Sequence, residues 1–232
     1  DGSTDRSLEI AKAYAAKDQR IQVFSDGANK NLGYRLNQIP HLVTTEYLAR
    51  MDADDIMHPL RLQKQIETLE KHPEIDVLGT NAYSIDENNN VVGIRMDPNC
   101  GYLVDVHHFI HPTIMAKTEW FKNNPYDVKA IRLEDAELWF RTKNMNTFKM
   151  LSEPLFFYRE FSGSYFKKYW KGYKTVFYLN KKYKFSKPFV GWIFTTPITI
   201  LIYFLFEQVL KSDKLNLRRN VIVFKSRKIV KI

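Results

Sequence analysis

The sequence lacks a second cysteine, an initiating methionine, and any internal repeat or low-complexity tract. A single residue, Cys100, stands among 232, which excludes a disulfide framework and a cysteine-based metal site. This cysteine usage fits a chain whose main part faces the cytoplasm. Because the chain starts at Asp1 inside an acidic Gly/Ser turn, we expect a fragment. About 30 residues forming a β-α-β unit should precede it.

Acidic residues are also nearly absent from the end of the chain. Residues 1–164 carry 19 Lys and Arg against 24 Asp and Glu, whereas residues 165–232 carry 16 against 2. The net charge is therefore −5 in the first region and +14 in the second. A basic tail of this kind attracts nucleic acid or an anionic membrane surface.

An uncharged apolar run decides between these two partners. It extends over residues 189–206, and lysines and arginines flank it on both sides. As a helix, 18 residues would be about 27 Å long, close to the hydrocarbon core of about 30 Å. The run therefore predicts membrane lipid as a partner and excludes nucleic acid. Pro197 and the symmetric basic flanks leave open whether the helix spans, lies in the interface, or is a buried core helix.

Residues 165–178 interleave tyrosine, phenylalanine and tryptophan with lysines. This pattern predicts an amphipathic helix at the level of the lipid headgroups, leading into the apolar run. We therefore expect two parts, a catalytic domain over residues 1–160 and a membrane-associated tail over residues 161–232.

Helical and strand patterns alternate in the first part, which predicts an α/β sheet flanked by helices. Helices are expected at 4–16 with Thr4 as N-cap, at 34–39, and from Pro59 with Leu62, Ile66 and Leu69 on its buried face. Strands are expected at 21–24, 46–51, 75–85 and 91–96, the last two as a hairpin.

Asp52, Asp54 and Asp55 follow the strand predicted at 46–51. Ligands of open α/β sheets sit beyond the carboxyl ends of strands, and carboxylates at this spacing suit Mg²⁺ or Mn²⁺ with a phosphorylated ligand. Taken alone, the cluster is more typical of a solvated acidic helix cap than of a metal site.

Further motifs surround this cluster in a fixed order. They are DGSTD at Asp1, NLGYRLN at Asn31, EYLARMDADDIMHPLR at Glu46, HPTIM at His111, LEDAELWFR at Leu133 and LFFYR at Leu155. The series resembles the family 2 glycosyltransferases over residues 1–160. That resemblance implies an inverting enzyme with the GT-A nucleotide-sugar-binding fold.

The resemblance implies a role for each donor-side residue. Asp1 would hydrogen-bond the nucleotide base, with a simple capping turn as the alternative, and Arg35 would lie near the base or diphosphate, with an ordinary surface arginine as the alternative. Asp52 would contact the ribose or the metal shell, Asp54 would bind the metal, and Asp55 would be structural.

On the acceptor side, the resemblance makes Asp135 the catalytic base. Glu134 would bind the acceptor, Trp139 would wall the site from the same helix face, and His111 would lie beside the acceptor. For Glu137 and Arg141 we expect a surface ion pair. The histidines at 107, 108 and 111 are weak candidates for a transition-metal site, and Trp120, Phe121 and Tyr126 are expected in the core.

Together these features predict a membrane-associated transferase that moves a sugar from a nucleotide-diphosphate donor to a hydroxyl of a glycan or lipid-linked acceptor. Surface polysaccharide synthesis is the expected setting. A metal-dependent phosphatase is disfavoured because Ile56 stands where Thr or Ser is usual, and a non-catalytic scaffold subunit is the alternative from another class. Without the preceding unit, we expect this chain to fold poorly and to show little activity.

Overall fold

The structure is a computed structural model that describes residues 1–160, 163–212 and 214–229, with side chains to residue 224. Its helices are α1 (Ser7–Ala15), α2 (Leu32–Gln38), α3 (Arg61–Lys71), α4 (Thr118–Asn123), α5 (Glu134–Thr142), α6 (Tyr165–Lys182), α7 (Lys187–Phe204) and α8 (Lys214–Leu217). The strands are β1 (Tyr47–Ala49), β2 (Ile56–Met57), β3 (Val77–Ile85), β4 (Asn90–Ile94), β5 (Leu103–Asp105), β6 (Met115–Lys117), β7 (Phe148–Arg159) and β8 (Ile222–Ile229).

One mixed sheet joins these strands. Along its main path the order is β1-β6-β3-β4-β8, and β7 runs parallel to β3 while also pairing with β2 and β5. The central strand β3 is buried over almost its whole length. Such a strand needs helices on its faces to exclude water. The mixed sheet flanked by helices confirms the predicted fold class.

Aromatic packing forms the largest part of the core. Trp120, Phe121 and Tyr126 lie there, as predicted, against Trp139 of α5 and Phe148 of β7. The rings of Trp139 and Phe148 meet edge to face at 5.5 Å between centroids, an arrangement that adds to simple burial. This packing fixes α5 against the sheet, and the candidate base lies on α5.

Three local predictions were wrong. Residues 21–24 form no strand in the structure, because β1 pairs only with β6 and no described strand lies beside that segment. Helix α1 begins at Ser7, whose amide donates to Asp5 at 3.0 Å, so Thr4 is not the cap. On α3 the buried face consists of Arg61, Gln65, Thr68 and Leu69, while Leu62 is exposed.

The helices at 34–39 and from residue 61, the strands near 46–51 and 75–85, and the hairpin with β4 are confirmed. The hairpin turn has a direct cause. The Asp86 carboxylate accepts hydrogen bonds from the amides of Asn88 and Asn90, both at 2.9 Å. A side chain that satisfies two turn amides closes the loop locally, and Arg159 of β7 adds hydrogen bonds to the Asp86 carbonyl and to Asn89, each at 2.6 Å.

Helix α6 docks on the catalytic part through buried polar contacts. Glu137 of α5 is completely buried and accepts hydrogen bonds from Lys182 at 2.8 Å and from the Tyr183 hydroxyl. Glu137 also forms the predicted ion pair with Arg141, with 3.2 Å between Oε1 of Glu137 and Nε of Arg141. The prediction of a surface pair was nevertheless wrong, since α6 covers that face of α5. Asp127 adds a second anchor by accepting from Tyr178 and Lys182, each at 2.7 Å.

Helix α7 carries the apolar run, and Pro197 lies inside it without ending it. With the π-helical turn Leu205–Val209, residues 187–209 form a 23-residue segment that is long and apolar enough to cross a membrane, and only 17% of its apolar 18-residue window is buried. It is the one such helix in the described ranges. Its inner face packs against α6, where the Tyr203 ring stacks on Tyr165 and Tyr169 at 5.3 and 5.4 Å.

The end of the tail returns to the sheet, because β8 pairs antiparallel with β4. A Cβ added at Gly93 would lie 2.5 Å from the carbonyl oxygen of Ile222, so the close approach of the two strands needs glycine there. The division at residue 160 stays a prediction, and β8 shows that the tail contributes one strand to the catalytic sheet.

Candidate active site

The acidic loop, residues 52–55, leaves the carboxyl end of β1 and leads into β2. The side chains of Asp52, Asp54 and Asp55 each bring a carboxylate oxygen within 4.8 Å of the others. They are the one group of this kind among the described residues, so the histidines near His107 form no comparable cluster there.

The end of β7 holds this loop in place. The backbone amide of Arg159 donates to the Asp55 carboxylate at 2.8 Å. The side-chain Nε of Arg159 donates to the backbone carbonyl of Asp54 at 2.7 Å. Arg61 supports the other side, because its buried guanidinium donates to the carbonyl of Arg50 at 3.0 Å. The arginines of the LFFYR and DADDIMHPLR segments therefore shape the loop backbone.

Arg50 lies beneath the acidic loop and was not predicted as a site residue. Its side chain is 6% exposed, and its Nη2 donates to Asp52 at 2.7 Å. Its Nε and Nη1 atoms are buried and have no hydrogen-bond partner among the described residues. A buried, half-satisfied guanidinium costs stability, so its place here indicates electrostatic support of the neighbouring carboxylates. The signal in the sequence was an arginine two residues before Asp52.

The acidic loop fits a divalent cation. Burial, together with the charges of Asp54 and Asp52, raises the pKa of Asp55 to about 7, and its Oδ2 is buried without a partner among the described residues. Three oxygens this close repel one another when ionised. A hard cation between them would relieve that repulsion and provide the missing partner of Asp55. Asp55 thus joins Asp54 and Asp52 as a possible ligand, although its hydrogen bond to Arg159 also makes it structural.

Asp135 lies in the first turn of α5 and lines a cavity of about 510 Å³. One oxygen accepts from the amide of Ala136 at 2.8 Å. Burial raises the pKa of Asp135, and the Ala136 amide and the Arg50 charge oppose that rise. The carboxylate is thus deep enough to bind a proton more readily than a surface aspartate, yet it faces a space that a substrate can enter.

Glu134, next to it, is 9% exposed, and burial raises its pKa as well. Its methylene lies near Gly33 of α2, where an added Cβ would be 3.7 Å from the Glu134 Cβ. Glu134 therefore faces α2, and Asp135 faces the cavity.

Asp1 and Arg35 are brought together. The Asp1 carboxylate accepts from Arg35 Nε at 2.9 Å and from the amide of Lys30 at 2.7 Å. Arg35 also donates to Asp26 and to the carbonyl of Ala28 at 2.6 Å. This network arranges the loop at 26–31 into one wall, and both side chains keep partial exposure to solvent.

His111 and Trp139 lie behind the site surface. The His111 Nε2 is 2.8 Å from the Tyr126 hydroxyl, and burial, followed by the Arg50 charge, holds the His111 pKa well below its usual value. It is therefore neutral at physiological pH. Trp139 is 3% exposed and meets the His111 ring at 6.1 Å between centroids. From these positions His111 and Trp139 pack behind the site and support α5 and Arg50. A direct contact of either residue with the acceptor stays a prediction.

Comparison with known proteins agrees with this geometry. The family model described as "Glycosyl transferase family 2" matches residues 1–149. A putative glycosyltransferase, EpsE of Bacillus subtilis, is 38% identical over 148 residues, which are 61% of this chain and 53% of EpsE. An uncharacterized glycosyltransferase of Methanocaldococcus jannaschii, MJ1057, is 34% identical over 161 residues, which are 66% of this chain and 56% of that protein. The chain thus spans about half the length of these relatives.

Among solved structures, the chain resembles residues 1–349 of S. aureus TarS in complex with UDP-GlcNAc. The TM-score is 0.59 at 18% identity, covering 75% of this chain and 53% of that one. At this identity the likeness concerns the fold, which is the GT-A arrangement. With the family model matching more than half of its residues, the chain belongs to glycosyl transferase family 2.

Proposed function

We propose that the chain is the catalytic part of an inverting glycosyltransferase of surface polysaccharide synthesis. It transfers a sugar from a nucleotide-diphosphate donor to a hydroxyl of a glycan or lipid-linked acceptor, at the cytoplasmic face of a membrane. The observation that carries the proposal is the pairing of a carboxylate triad at the end of β1 with a deeply set Asp135 in a cavity. UDP-GlcNAc is bound by the similar TarS structure, which supports a nucleotide-sugar donor here.

On the donor side, Asp54, Asp52 and Asp55 would hold Mg²⁺ or Mn²⁺, which neutralises the charge that develops on the departing diphosphate. Asp1 and Arg35 bind the nucleotide end of the donor. The Arg50 guanidinium keeps Asp52 in place through their 2.7 Å contact and keeps the nearby carboxylates ionised by its charge.

On the acceptor side, Asp135 accepts the proton of the attacking hydroxyl. The hydroxyl oxygen forms its bond to the anomeric carbon while the bond from that carbon to the diphosphate oxygen breaks on the opposite face, which inverts the configuration. A carboxylate whose pKa is raised by burial is a better base than an ordinary aspartate. Glu134 adds a second acidic group from the same helix turn for acceptor hydroxyls.

A donor panel with matched variants tests this assignment. UDP-, GDP- and dTDP-sugars are offered with and without Mn²⁺ to the full-length protein, and binding and donor hydrolysis are measured. We expect one donor class to bind only with metal, Asp54→Asn to lose binding, and Asp135→Asn to keep binding but lose turnover. If no nucleotide-sugar binds under any metal condition, the enzyme proposal is wrong, and a membrane scaffold subunit becomes the better explanation.

A further inference from the structure

The cavity that holds Asp135 has one wall from the catalytic part and one wall from the tail. Arg132, Leu133 and Tyr158 line the first wall. The second wall comes from α6, α7 and the segment after α8, through Tyr165, Lys168, Tyr169, Gly172, Val176, Trp192, Thr195, Thr196, Thr199 and Arg219. Its volume of about 510 Å³ is that of a small-molecule site. The family model ends at residue 149 and does not reach the tail wall.

The charge of this lining is predominantly positive. Arg132, Lys168 and Arg219 line the cavity, and Asp135 is the one carboxylate among its described lining residues. A second acid, Glu160, lies behind the wall with no exposed surface and is already neutralised by Arg95 and Arg219. Counted over the described lining residues, the cavity therefore presents net positive charge to a ligand that reaches Asp135.

Two of these cations lie close enough to affect each other. Burial, followed by the charge of Arg132, lowers the pKa of Lys168. Like charges placed together in a partly buried space are stabilised by an anion between them. The side chain of Arg132 makes no ion pair within the described residues, and its backbone is held at φ 67°, in the left-handed region. The charges of Glu134 and Asp135 interact with this guanidinium from a distance, without an ion-pair contact among the described residues.

Hydroxyl groups complete the chemistry of an anion site. Thr196 of α7 is half-buried and has no hydrogen-bond partner in the described ranges, and Tyr158 adds a phenol whose pKa burial raises to about 12. Both groups are hydrogen-bond donors at physiological pH. Guanidinium, ammonium and hydroxyl donors around one space are the combination that phosphate oxygens accept best.

The same cavity lies beside the apolar helix. Thr195, Thr196 and Thr199 occupy the cavity face of α7, while Phe194, Ile198 and Leu201 on its other side are 68, 59 and 57% exposed. A helix with its side chains is about 10–12 Å wide. A group in the cavity is thus about one helix diameter from a surface suited to lipid.

We propose that the cavity between Asp135 and α7 binds the phosphate ester of a lipid-linked acceptor, with the acceptor hydroxyl directed at Asp135. This inference rests on the proposed function and specifies its acceptor. A lipid phosphate anchored at the bilayer would reach Arg132 and Lys168 while its chain stays beside α7. The sugar attached to that phosphate would extend toward Asp135. The tail would then recognise the substrate as well as attach to the membrane.

Binding of simple probes tests this without knowing the sugar. The full-length protein is placed in nanodiscs of phosphatidylcholine and titrated with farnesyl diphosphate, farnesol or inorganic pyrophosphate. We expect farnesyl diphosphate to bind at least about 10-fold more tightly than either fragment, since both the anion and the chain contribute. If pyrophosphate binds as tightly as farnesyl diphosphate, the cavity is a site for a free anion. If farnesol binds as tightly as farnesyl diphosphate, the phosphate has no role in binding. Either result overturns the proposal.

Charge variants identify the site. Arg132→Gln and Lys168→Gln should each weaken farnesyl diphosphate binding by about 10-fold, and Lys168→Arg should retain most of it. Lys174→Gln is the matched control, because it removes the same charge from an exposed position on α6 outside the cavity lining. An equal loss in Lys174→Gln would mean that general attraction of a basic tail explains the binding.

Failure of this proposal is distinguishable from failure of the enzyme assignment. Asp54→Asn should lose metal-dependent donor binding and retain farnesyl diphosphate binding, whereas Arg132→Gln should keep donor binding and weaken farnesyl diphosphate binding by about 10-fold. If the parent chain binds a donor with Mn²⁺ but not farnesyl diphosphate, the acceptor inference alone is wrong. If it binds no donor, the proposed function is wrong.

Discussion

The site has an acidic side, whose carboxylates repel phosphate, and a basic side, whose cations attract it. The acidic loop, residues 52–55, gathers three carboxylates, and under the proposed function a divalent cation would bind there before a diphosphate. The cavity wall around Arg132, Lys168 and Arg219 carries positive charge and would bind phosphate directly. We therefore expect divalent metal to change binding on the acidic side alone, which would separate the two proposed phosphate-bearing substrates.

The largest change is expected at the boundary between the two sides. Replacing Asp135 with Asn removes the proton acceptor while keeping the shape of the side chain, so kcat should fall by about 10²- to 10⁴-fold. Donor affinity on the acidic side and lipid-probe affinity on the basic side should both remain. Steady-state kinetics and the two binding titrations measure this separately. A parallel loss of donor affinity would show that Asp135 belongs to donor binding instead.

A smaller effect should be confined to the acidic side. Arg50→Met removes the buried guanidinium that orients Asp52, so Mn²⁺ affinity should fall by about 10- to 100-fold, as for other groups that orient metal ligands. Calorimetric titration with Mn²⁺ measures it.

Arg50→Lys keeps the charge and should recover part of the affinity, while Arg20→Met, in an exposed pair with Asp18, should leave it unchanged. Unaltered Mn²⁺ affinity in Arg50→Met would assign Arg50 to packing alone.

The basic side depends on the docking of α6, and Glu137 tests that dependence. Glu137→Gln removes the charge that Lys182 and Arg141 contact, in a position with no exposure, and should lower the free energy of unfolding by about 1–3 kcal/mol. Denaturant melts measure the change.

Glu9→Gln, which breaks an exposed pair with Arg6, should have no measurable effect. Equal stability of Glu137→Gln and the parent would mean that apolar packing alone holds α6 to α5.

The smallest expected effect is a shift in pH dependence. Asp135 must be ionised to accept a proton, so activity is lost as the pH falls through its pKa. Because burial raises that pKa above its usual value of 3.8, the acid limb of kcat/KM should lie at higher pH than for an exposed aspartate.

Removing the Arg50 charge, which lowers the Asp135 pKa, should move the limb higher still. The profile is recorded at saturating Mn²⁺, and a limb that stays in place in Arg50→Met would argue against Asp135 as the titrating group.

The two sides also differ in what the sequence could predict. The acidic loop was predicted because its carboxylates are adjacent in the chain and follow a recognisable strand, and Asp135 was predicted from its flanking motif. The basic wall joins residues 132, 168 and 219, whose proximity depends on how α6 and α7 fold back on α5. No local pattern contains that information.

The individual errors have the same origin. Glu137 and Arg141 have the spacing of a surface pair, and burial by α6 could not be inferred from that spacing. Trp139 packs in the aromatic cluster with Trp120 and Phe148, which its motif did not indicate, and its contact with the acceptor stays a prediction. Residues 21–24 have strand-like composition, yet a strand forms only where a neighbour offers hydrogen bonds.

The tail is attached to the catalytic part at both of its ends. Helix α6 is fixed at Glu137 and Asp127, and β8 is fixed along β4, with α7 between these two attachments. Because α7 is held between these two attachments, it cannot change its depth in a bilayer unless the whole sheet moves with it. Under the proposed membrane attachment, the fold would set the height of Asp135 above the lipid, and the same distance would limit the length of the acceptor that can reach it.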